Sequence, residues 1–527
     1  MQRTPAHTIR NPKPRQREDS QTMTPPHDAL HQERDRWLAE VAPRGWTPPR
    51  VDGRYNLVVI GGGPAGLVCA AGAAGLGAKV ALIERHRLGG DCLNVGCVPS
   101  KGLIRAARAA AEVRRAGAFG VHTGAEVTVD FARVMERMQR IRADLARHDS
   151  ARRFTGLGVG VFLGEGRFTG PDMIDVDGTS LRFAHAVIAT GARPALPPIP
   201  GLAECLPLTN ETVFDLTERP PRLAVIGAGP IGCELGQAFA RFGSRVTLIE
   251  TNDRIMAREE ARAAAIVHRS LTEDGVEILI GTGITAARAT GGTRTLTLED
   301  AHGTRRELEV DAILVAAGRA PNVESLNLEA AGIAFDTRSG VRVDARLATS
   351  NRRVFAAGDV CYPHQFTHAA DQCARIVLAN ALFKGRQRAD RLVVPWATYT
   401  EPEVAHVGLT EDQIERRGVA VDIIEVDTAA NDRSRLDGDD AGYARVYLKR
   451  GTDRILGATL VASHAGDMLG EMTLAITQGI GLKKIAATIH PYPTHGEMWK
   501  KVADAWSRTR LTPRVLGWMR RWLAFTR

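Results

Sequence analysis

Two apolar runs of the chain have the same surroundings. Residues 55–60 (YNLVVI) and 222–226 (RLAVI) are short and rich in β-branched residues, and each is followed at once by a glycine-rich turn and a helical stretch. A second apolar run completes each unit, at 79–84 and 245–250. Short apolar runs that alternate with helical stretches predict parallel strands. The chain therefore contains, twice, the strand, turn, helix and strand of a dinucleotide-binding unit.

Both turns carry the G-x-G-x-x-G pattern. Its first two glycines allow a tight turn and a close approach of the backbone to a pyrophosphate, and the third lets the helix pack on the strand. Glu84 and Glu250 end the second strands, where a carboxylate accepts a hydrogen bond from a ribose hydroxyl. Two complete units imply two dinucleotides, one held tightly and one exchanging. The glycines are Gly61, Gly63 and Gly66 in the first turn and Gly227, Gly229 and Gly232 in the second.

A pair of cysteines follows the first unit, in residues 89–101 (GGDCLNVGCVPSK). Cys92 and Cys97 lie in a glycine-flanked, proline-bounded turn that leads into a helix rich in alanine and arginine. Two such thiols can close into an internal disulfide and reopen, which stores two electrons. The start of the helix and the cation of Lys101 both lower a thiolate pKa. The segment is predicted to be a redox dithiol, and its spacing argues against a structural zinc site.

Length and composition set the scale of the fold and the compartment. A chain of 527 residues that is 44% hydrophobic can bury several cores, so we expect several domains. No apolar run is long enough to span a bilayer, and the N-terminus has no hydrophobic signal core. The seven cysteines follow no disulfide framework. These features predict a cytoplasmic protein.

The positive charge of the chain, formally +9, is concentrated in its tails. Residues 508–527 carry six arginines and no acidic residue, and no nucleic-acid recognition motif accompanies them, so we expect no nucleic-acid partner. Residues 1–53 are rich in proline and charge and are predicted to be disordered, apart from a short helix at about 28–41. A last helix at 511–525 has two interpretations, weak contact with a membrane surface or docking on a dimer. Its apolar stripe is Leu511, Val515, Trp518 and Trp522, beside Arg514, Arg520 and Arg521.

The motif GGDCLNVGCVPSK resembles the active-site segment of the flavin-dependent pyridine nucleotide-disulfide oxidoreductases, and the likeness covers residues 54–507. It implies an α/β fold with two Rossmann-like dinucleotide-binding domains, for FAD and NAD, and an α+β dimerisation domain. The implied chain is therefore one subunit of a homodimer. We expect these boundaries: 1–53, disordered extension; 54–205, FAD-binding domain; 206–339, NAD(P)-binding domain; 340–390, return to the FAD domain; 391–507, dimerisation domain; 508–527, basic tail.

The resemblance also assigns roles to residues. Cys92 becomes the thiol that meets the substrate and Cys97 the thiol beside the flavin, while Lys101 pairs with Glu234 near the flavin's reactive edge. Hydride is expected to pass from nicotinamide to flavin, and its two electrons are expected to pass on to the disulfide and finally to an acceptor. The remaining cofactor contacts are Gly191 and Asp359 for FAD and Gly318 for NAD.

The segment at 490–497 (HPYPTHGE) separates branches of this family. Dihydrolipoamide dehydrogenase-like proteins place a histidine base at position 492, paired with the acid at Glu497, and here that position holds Tyr492. Mercuric reductase-like proteins show tyrosine there but usually end in a cysteine pair, which this sequence does not. His490 or His495 can in principle replace the base. Pro230, where glutathione reductase-like proteins carry a tyrosine, weakens the glutathione interpretation.

We therefore expect an enzyme that passes electrons from NADH through FAD and the dithiol to a small disulfide or a thiol-reactive acceptor such as a metal ion. NAD is favoured over NADP because Glu250 repels a 2′-phosphate. One alternative is a dihydrolipoamide dehydrogenase. An alternative of another class is a flavin-bearing electron-transfer or sensor subunit that serves a partner protein.

A second cluster of possible ligands lies at Cys361, His364 and His368. The two histidines are one helical turn apart, a spacing that suits a shared metal ion. No acid or second thiol completes the set, so no metal site is predicted.

Overall fold

The computed structural model describes residues 26–122, 124 and 126–527. Its first strand, residues 55–60, is buried on both sides, because Leu57, Val58 and Val59 are each fully enclosed. A strand without a polar face belongs inside a sheet that is covered on both faces. The elements of this part are α1 (Pro26–Val41), β1 (Tyr55–Ile60), α2 (Pro64–Gly75), β2 (Val80–Glu84), α3 (Gly90–Asn94), α4 (Cys97–Arg115), α5 (Phe131–Ala146), α6 (Ala151–Gly156), β3 (Val159–Leu163), β4 (Gly166–Gly170), β5 (Met173–Val176), β6 (Thr179–Ile188) and β7 (Ala192–Pro194).

The second unit repeats this order of strand, turn, helix and strand. A three-stranded antiparallel sheet, formed by residues 282–310, is inserted before the last strand of the unit. Its elements are β8 (Arg222–Ile226), α7 (Pro230–Arg241), β9 (Arg245–Ile249), α8 (Ala261–Glu273), β10 (Glu277–Leu279), β11 (Thr282–Thr290), β12 (Thr293–Asp300), β13 (Arg305–Val310), β14 (Ala312–Val315) and β15 (Arg319–Pro321).

The chain then returns to the first sheet and ends in an antiparallel domain. The elements are β16 (Phe335–Asp336), β17 (Gly340–Val341), β18 (Val354–Ala356), α9 (Thr367–Phe383), β19 (Trp396–Thr398), β20 (Glu403–Gly408), α10 (Glu411–Arg416), β21 (Val421–Asp427), α11 (Asp432–Leu436), β22 (Tyr443–Lys449), β23 (Ile455–Ala462), α12 (Ala465–Gln478), α13 (Leu482–Ala486), α14 (Glu497–Thr509) and α15 (Pro513–Phe525).

Strand pairing confirms the expected α/β architecture. In the first sheet the order is β3, β2, β1, β6, β5, β4, with β18 added on β6. The strands β3, β2, β1, β6 and β18 are parallel, and β5 and β4 form an antiparallel extension. The second sheet, β10, β9, β8 and β14, is parallel throughout. The last domain is an antiparallel sheet in the order β19, β20, β23, β22, β21.

Within the N-terminal extension, for which we otherwise expected disorder, helix α1 covers the short helix expected at about 28–41. Helix α1 is ordered because Trp37 and Val41 are fully buried and pack in the same core as the first sheet. One large aromatic side chain thus supplies the buried surface that an otherwise polar helix lacks. The basic stretch before residue 26 lies outside the described residues. Across the described part of the chain, no helix combines the length and apolarity needed to cross a bilayer.

Candidate active site

The redox segment packs directly on the glycine turn of the first unit. Gly90 has φ of 56°, and a Cβ at this position would lie 2.5 Å from the Cα of Gly63. Only glycine allows such a close approach. The segment continues through α3 to Cys97, the first residue of α4, so this thiol lies at a helix N-terminus. Cys92 and Cys97 are both free thiols, and Cys97 is exposed.

The two thiols differ sharply in acidity. A hydrogen bond from Cys92 is the main cause that lowers the pKa of Cys97 to about 6, and the Thr367 hydroxyl and the Lys101 cation add to it. The surrounding protein partly desolvates this thiol, which opposes the effect. The Sγ of Cys97 lies 3.6 Å from the Oγ1 of Thr367. The same hydrogen bond, together with burial, raises the pKa of Cys92. At neutral pH the pair therefore holds one proton, on Cys92, and one negative charge, on Cys97.

Lys101 and Glu234 form the ion pair that the resemblance implied. Their Nζ and Oε2 atoms are 2.8 Å apart, and the Glu234 side chain is only 7% exposed. Burial favours the neutral lysine, but the charge and hydrogen bond of Glu234 outweigh it, so the pKa of Lys101 is raised. The backbone N–H of Tyr399 donates to Glu234 at 2.9 Å, and Lys101 lies 4.4 Å from the centre of the Tyr399 ring. The cation is therefore held by the Glu234 carboxylate and the Tyr399 ring, where its charge lowers the pKa of Cys97.

Steric contacts show why both glycine turns need glycine. A Cβ on Gly61 would lie 2.3 Å from the carbonyl oxygen of Ala189, and one on Gly66 would lie 1.8 Å from that of Gly61. In the second unit, Gly232 would clash in the same way with Gly227, at 2.0 Å. The close packing of helix on strand that the G-x-G-x-x-G pattern predicts is thus present in both units.

The helix N-termini at these turns suit a diphosphate. Neither Gly63 nor Gly229 receives a side-chain cap, so the first N–H groups of α2 and α7 are not satisfied by side chains. A Cβ on Gly229 would meet nothing within 4 Å, which leaves the approach to the helix end open. Such an end binds phosphate through its N–H groups and its dipole. The residues of both turns therefore fit a dinucleotide.

Glu84 and Glu250 occupy equivalent positions and accept equivalent hydrogen bonds. Glu84 accepts from the N–H of Gly62 at 2.6 Å, and Glu250 accepts from the N–H of Ala228 at 2.8 Å. Their electrostatics differ. Burial raises the pKa of Glu84 despite its hydrogen bonds, whereas around Glu250 the hydrogen bonds from Asn252 and Ala228 outweigh burial and lower the pKa. Glu250 is therefore firmly a carboxylate at neutral pH.

The two segments that leave the parallel sheets after β6 and β14, the crossover segments, meet near Asp359. Gly191 and Gly318 both have positive φ, of 67° and 136°, and the strands that follow them, β7 and β15, pair antiparallel. Arg319, next to Gly318, contacts Asp91 and lies 3.7 Å from Asp359. Burial raises the pKa of Asp359. This arginine, which sequence reasoning did not assign, joins the redox segment to the acid expected to contact FAD.

The C-terminal motif is arranged differently from the dyad of the dihydrolipoamide dehydrogenase-like pattern. Tyr492 is 69% exposed, and its hydroxyl donates to Asp432 Oδ2 at 3.1 Å. That hydrogen bond and the charge of Asp432 raise the pKa of Tyr492. The buried Oε2 of Glu497 has no hydrogen-bond partner.

The two histidines of the motif are engaged elsewhere. His490 contacts the carbonyl of Thr488 through Nδ1 and the carboxylate of Glu471 through Nε2, both at 3.1 Å. His495 contacts Asp437 at 3.0 Å through Nε2 and Ser434 at 3.4 Å through Nδ1. Since both nitrogens of each ring are occupied, neither histidine offers a free base in this arrangement.

The possible metal ligands at 361–368 do not come together. The thiol of Cys361 donates to the carbonyl of Gly358 at 3.6 Å, and the Nε2 of His368 lies 2.7 Å from the carbonyl of Pro395. Within the described ranges, no three His, Cys, Asp or Glu side chains are grouped as a metal site.

Sequence reasoning missed the residues that hold the redox segment from outside. The indole N–H of Trp37 donates to Asn94 Oδ1 at 2.9 Å, and Arg142 donates to the carbonyl of Asn94 at 2.7 Å. The guanidinium of Arg142 stacks on Trp37 at 3.6 Å, and that of Arg87 lies 4.6 Å away. The one available signal was a lone tryptophan in a strongly charged stretch. Asn94 lies between the two cysteines, so this cluster supports the dithiol directly.

The fold and site together define a redox enzyme with two dinucleotide units and a dithiol. The chain matches the family model described as pyridine nucleotide-disulphide oxidoreductase over residues 55–373, and the dimerisation domain of that family over 394–503. The chain therefore belongs to the pyridine nucleotide-disulphide oxidoreductases, as the redox motif predicted. Membership implies FAD and a pyridine nucleotide as cofactors, and the dimerisation domain implies a homodimer.

Individual relatives agree with this assignment. A mercuric reductase of Staphylococcus aureus is 34% identical over 86% of this chain and 82% of its own length. A dihydrolipoyl dehydrogenase of Thermus scotoductus is also 34% identical, over 86% of this chain and 97% of its own length. Among solved structures, the HOCl-induced flavoprotein disulfide reductase RclA of Escherichia coli matches with a TM-score of 0.76 and 28% identity, over 85% of this chain and 99% of that one. The chain is thus a flavin-dependent oxidoreductase that uses a pyridine nucleotide.

Proposed function

We propose that this protein oxidises NADH and delivers the electrons, through the Cys92–Cys97 dithiol, to a small disulfide or a thiol-reactive metal ion. The observation that carries the proposal is the place of Cys97 at the start of α4, one turn before the Lys101–Glu234 ion pair, where the Cys92 hydrogen bond and the lysine cation lower the pKa of Cys97. A dithiol with one thiolate at neutral pH is ready for exchange with a sulfur electrophile. The class of relatives, mercuric reductases and disulfide reductases, agrees with such an acceptor.

The cofactors are assigned by unit. Residues 54–205 and 340–390 would hold FAD through Gly61, Gly63, Gly66, Glu84, Gly191 and Asp359. Residues 206–339 would hold the nicotinamide nucleotide through Gly227, Gly229, Gly232, Glu250 and Gly318. FAD, when bound, supplies a two-electron carrier between the nicotinamide and the disulfide. Residues 391–507 would form the dimer contact.

The thiols then have distinct tasks. The proton of Cys92 passes along its hydrogen bond to the Cys97 thiolate, and the resulting Cys92 thiolate attacks a sulfur of the acceptor disulfide. A mixed disulfide forms, the S–S bond of the acceptor breaks, and the other sulfur leaves as a thiolate that takes a proton from solvent. Cys97 then loses the proton it received to solvent and its thiolate attacks the Cys92 sulfur, which closes the internal disulfide and releases the second sulfur as a thiolate that solvent protonates. Lys101 stabilises the negative charge that returns to Cys97.

The nucleotide is proposed to be NADH rather than NADPH. The lowered pKa of Glu250 keeps a negative charge where a 2′-phosphate would lie. We expect kcat/KM to be higher with NADH than with NADPH. Glu250→Arg should shift the ratio of the two kcat/KM values towards NADPH by at least tenfold. Glu250→Gln, which removes the charge without reversing it, should only bring the two kcat/KM values closer together. Equal kcat/KM for both nucleotides in the parent protein would contradict this assignment.

A dihydrolipoamide dehydrogenase is the second candidate, favoured by the near-complete coverage of the Thermus scotoductus relative. The position of Tyr492 argues against it, because an exposed phenol with a raised pKa is a poor base. We also place the protein in a reducing compartment, the cytoplasm, where the five cysteines outside the redox pair stay reduced.

One experiment tests the function as a whole. NADH oxidation by the purified holoenzyme is measured with lipoamide, glutathione disulfide, mercuric ion and a quinone, in the parent protein and in Cys92→Ser. We expect turnover with a disulfide or the metal ion that is lost in Cys92→Ser. Turnover with the quinone alone, unchanged by Cys92→Ser, would refute the dithiol route. Reduction of the flavin without turnover of any acceptor would favour the electron-transfer or sensor subunit.

A further inference from the structure

The last helix, α15, stands apart from the folded body. The preceding helix, α14, buries Met498, Trp499 and Val502, whereas α15 buries none of its residues. Trp518 is 67% exposed and Trp522 is 56% exposed. Large apolar side chains gathered on an exposed surface mark an interaction site. The helix also lies beyond residue 503, where the match to the family's dimerisation domain ends.

The helix is divided lengthwise into an apolar half and a basic half. At 100° per residue, the apolar side chains cover an arc of about 180°. Three arginines and the small residues Gly517 and Ala524 occupy the opposite arc. The apolar half consists of Val515, Leu516, Trp518, Met519, Trp522, Leu523 and Phe525, and the basic half carries Arg514, Arg520 and Arg521. Leu511, which we expected on the apolar stripe, precedes the helix, because α15 begins at Pro513. The two indole rings stack 6.3 Å apart on the apolar side.

Charge decides between the surfaces that can cover this helix. Residues 508–527 carry six arginines and no acid, so of the formal charge of +9 only +3 lies outside this segment. A second copy of the chain therefore offers no net negative charge to match the arginines of the helix. An anionic lipid surface offers both an apolar layer for the tryptophans and negative headgroups for the arginines.

We propose that α15 is an interfacial anchor that lies in the plane of an anionic lipid bilayer, with its tryptophan side in the acyl boundary and its arginines at the headgroups. The helix is about 20 Å long at 1.5 Å per residue, which suits lying in the interface rather than spanning it. A homodimer presents two copies of the helix, so weak binding by each is strengthened when both reach the same surface. The proposal does not depend on which acceptor the enzyme reduces.

Vesicle sedimentation tests the anchor with the FAD-loaded full chain. The protein is mixed with vesicles of phosphatidylcholine alone or of phosphatidylcholine with phosphatidylglycerol, and the bound fraction is measured at low and high salt. We expect the protein to bind the vesicles that contain phosphatidylglycerol and not those of pure phosphatidylcholine. High salt should weaken this binding. Trp518→Ser combined with Trp522→Ser should abolish it. Arg514→Gln, Arg520→Gln and Arg521→Gln together should weaken it by about 100-fold, roughly fivefold for each arginine.

The matched control removes the same charge elsewhere. Arg269, Arg352 and Arg416 are all exposed, with side chains at least 62% accessible, and changing them to Gln should leave vesicle binding nearly unaltered. FAD content and NADH oxidation check that each variant is folded. Absence of binding to anionic vesicles, or binding that the helix variants do not change, would overturn the proposal. So would a tryptophan double variant that dissociates to monomers in gel filtration, because the helix would then cover the partner subunit.

Discussion

The two parts of the candidate active site, one around Cys97 and one around Tyr492, differ in how firmly contacts within one chain hold their side chains. Around Cys97, side chains from distant parts of the sequence converge, and the thiolate, Lys101 and Glu234 are all held by specific contacts. Around Tyr492, the side chain is mostly exposed and bonds only a neighbouring acid, while Glu497 keeps a buried oxygen without a partner. The difference indicates that electron storage is built by the single chain. The residues expected to handle protons, Tyr492 and Glu497, are not brought into contact with each other within the single chain.

The largest expected effect concerns the part of the site around Cys97. Replacing Cys97 with Ser should abolish the long-wavelength absorption expected when the Cys97 thiolate lies against oxidised flavin, while FAD stays bound. The reason is that only Cys97 carries the negative charge. Anaerobic reduction followed by absorption spectroscopy measures the band. Cys92→Ser is the control, because a serine hydroxyl can still donate to the thiolate, and the band should remain. If the band survives in Cys97→Ser, Cys92 rather than Cys97 is the thiol beside the flavin.

The next prediction tests whether the part of the site around Tyr492 lacks only a general base. Tyr492→His should raise lipoamide turnover by on the order of 10²-fold, because general-base assistance is typically worth at least that much. Turnover is measured as lipoamide-dependent NADH oxidation, with Tyr492→Phe as the control that removes the hydroxyl without adding a base. Rapid lipoamide turnover by the parent protein, unaffected by Tyr492→Phe, would show that His490, His495 or water already supplies the base.

A smaller effect should appear in the acidity of Cys97. In a Cys92→Ser background, the pH dependence of iodoacetamide alkylation reports the pKa of the one remaining active-site thiol. Lys101→Met removes a cation that stabilises the thiolate, so the pKa should rise and alkylation at a fixed acidic pH should slow roughly tenfold.

Changing the partner of Lys101 should act in the opposite direction. The charge of Glu234 raises the pKa of Cys97, so Glu234→Gln should lower that pKa as long as Lys101 stays in place. Lys101→Arg, which keeps the positive charge, is the control for the lysine change. Shifts of the same sign in Lys101→Met and Glu234→Gln would mean that the pair acts through structure rather than through charge.

The smallest effect concerns the support beneath the dithiol. Trp37→Phe keeps an aromatic ring under Arg142 but removes the hydrogen bond to Asn94, which should lower the free energy of unfolding by about 1 kcal/mol. Trp46→Phe is the matched control, since its indole donates to Val161 at 3.0 Å, outside the redox segment. Denaturant unfolding of the holoenzyme measures stability. Only Trp37→Phe should also change the pH profile of Cys97 alkylation, and an equal change in both variants would rule out a positioning role.

Local pattern was sufficient for much of this protein. The glycine turns, the strands that end in Glu84 and Glu250, and the cysteine segment are each contiguous in sequence, so their chemistry depends on near neighbours and on backbone geometry that glycine permits. The pairing of Lys101 with Glu234, 133 residues away, was inferred by resemblance rather than from these two residues alone.

Tertiary structure decided the features that depend on contacts between distant parts of the chain. Thr367 and Arg319 reach the redox segment only because β18 and α9 return to the first sheet and the two crossover strands pair. Likewise, the helix expected at about 28–41 is held as α1 because folding gives Trp37 a buried place against Arg142 and Asn94, and the sequence did not indicate these contacts. Burial and long-range hydrogen bonds set these outcomes, and both arise only when segments far apart in sequence meet in the folded chain.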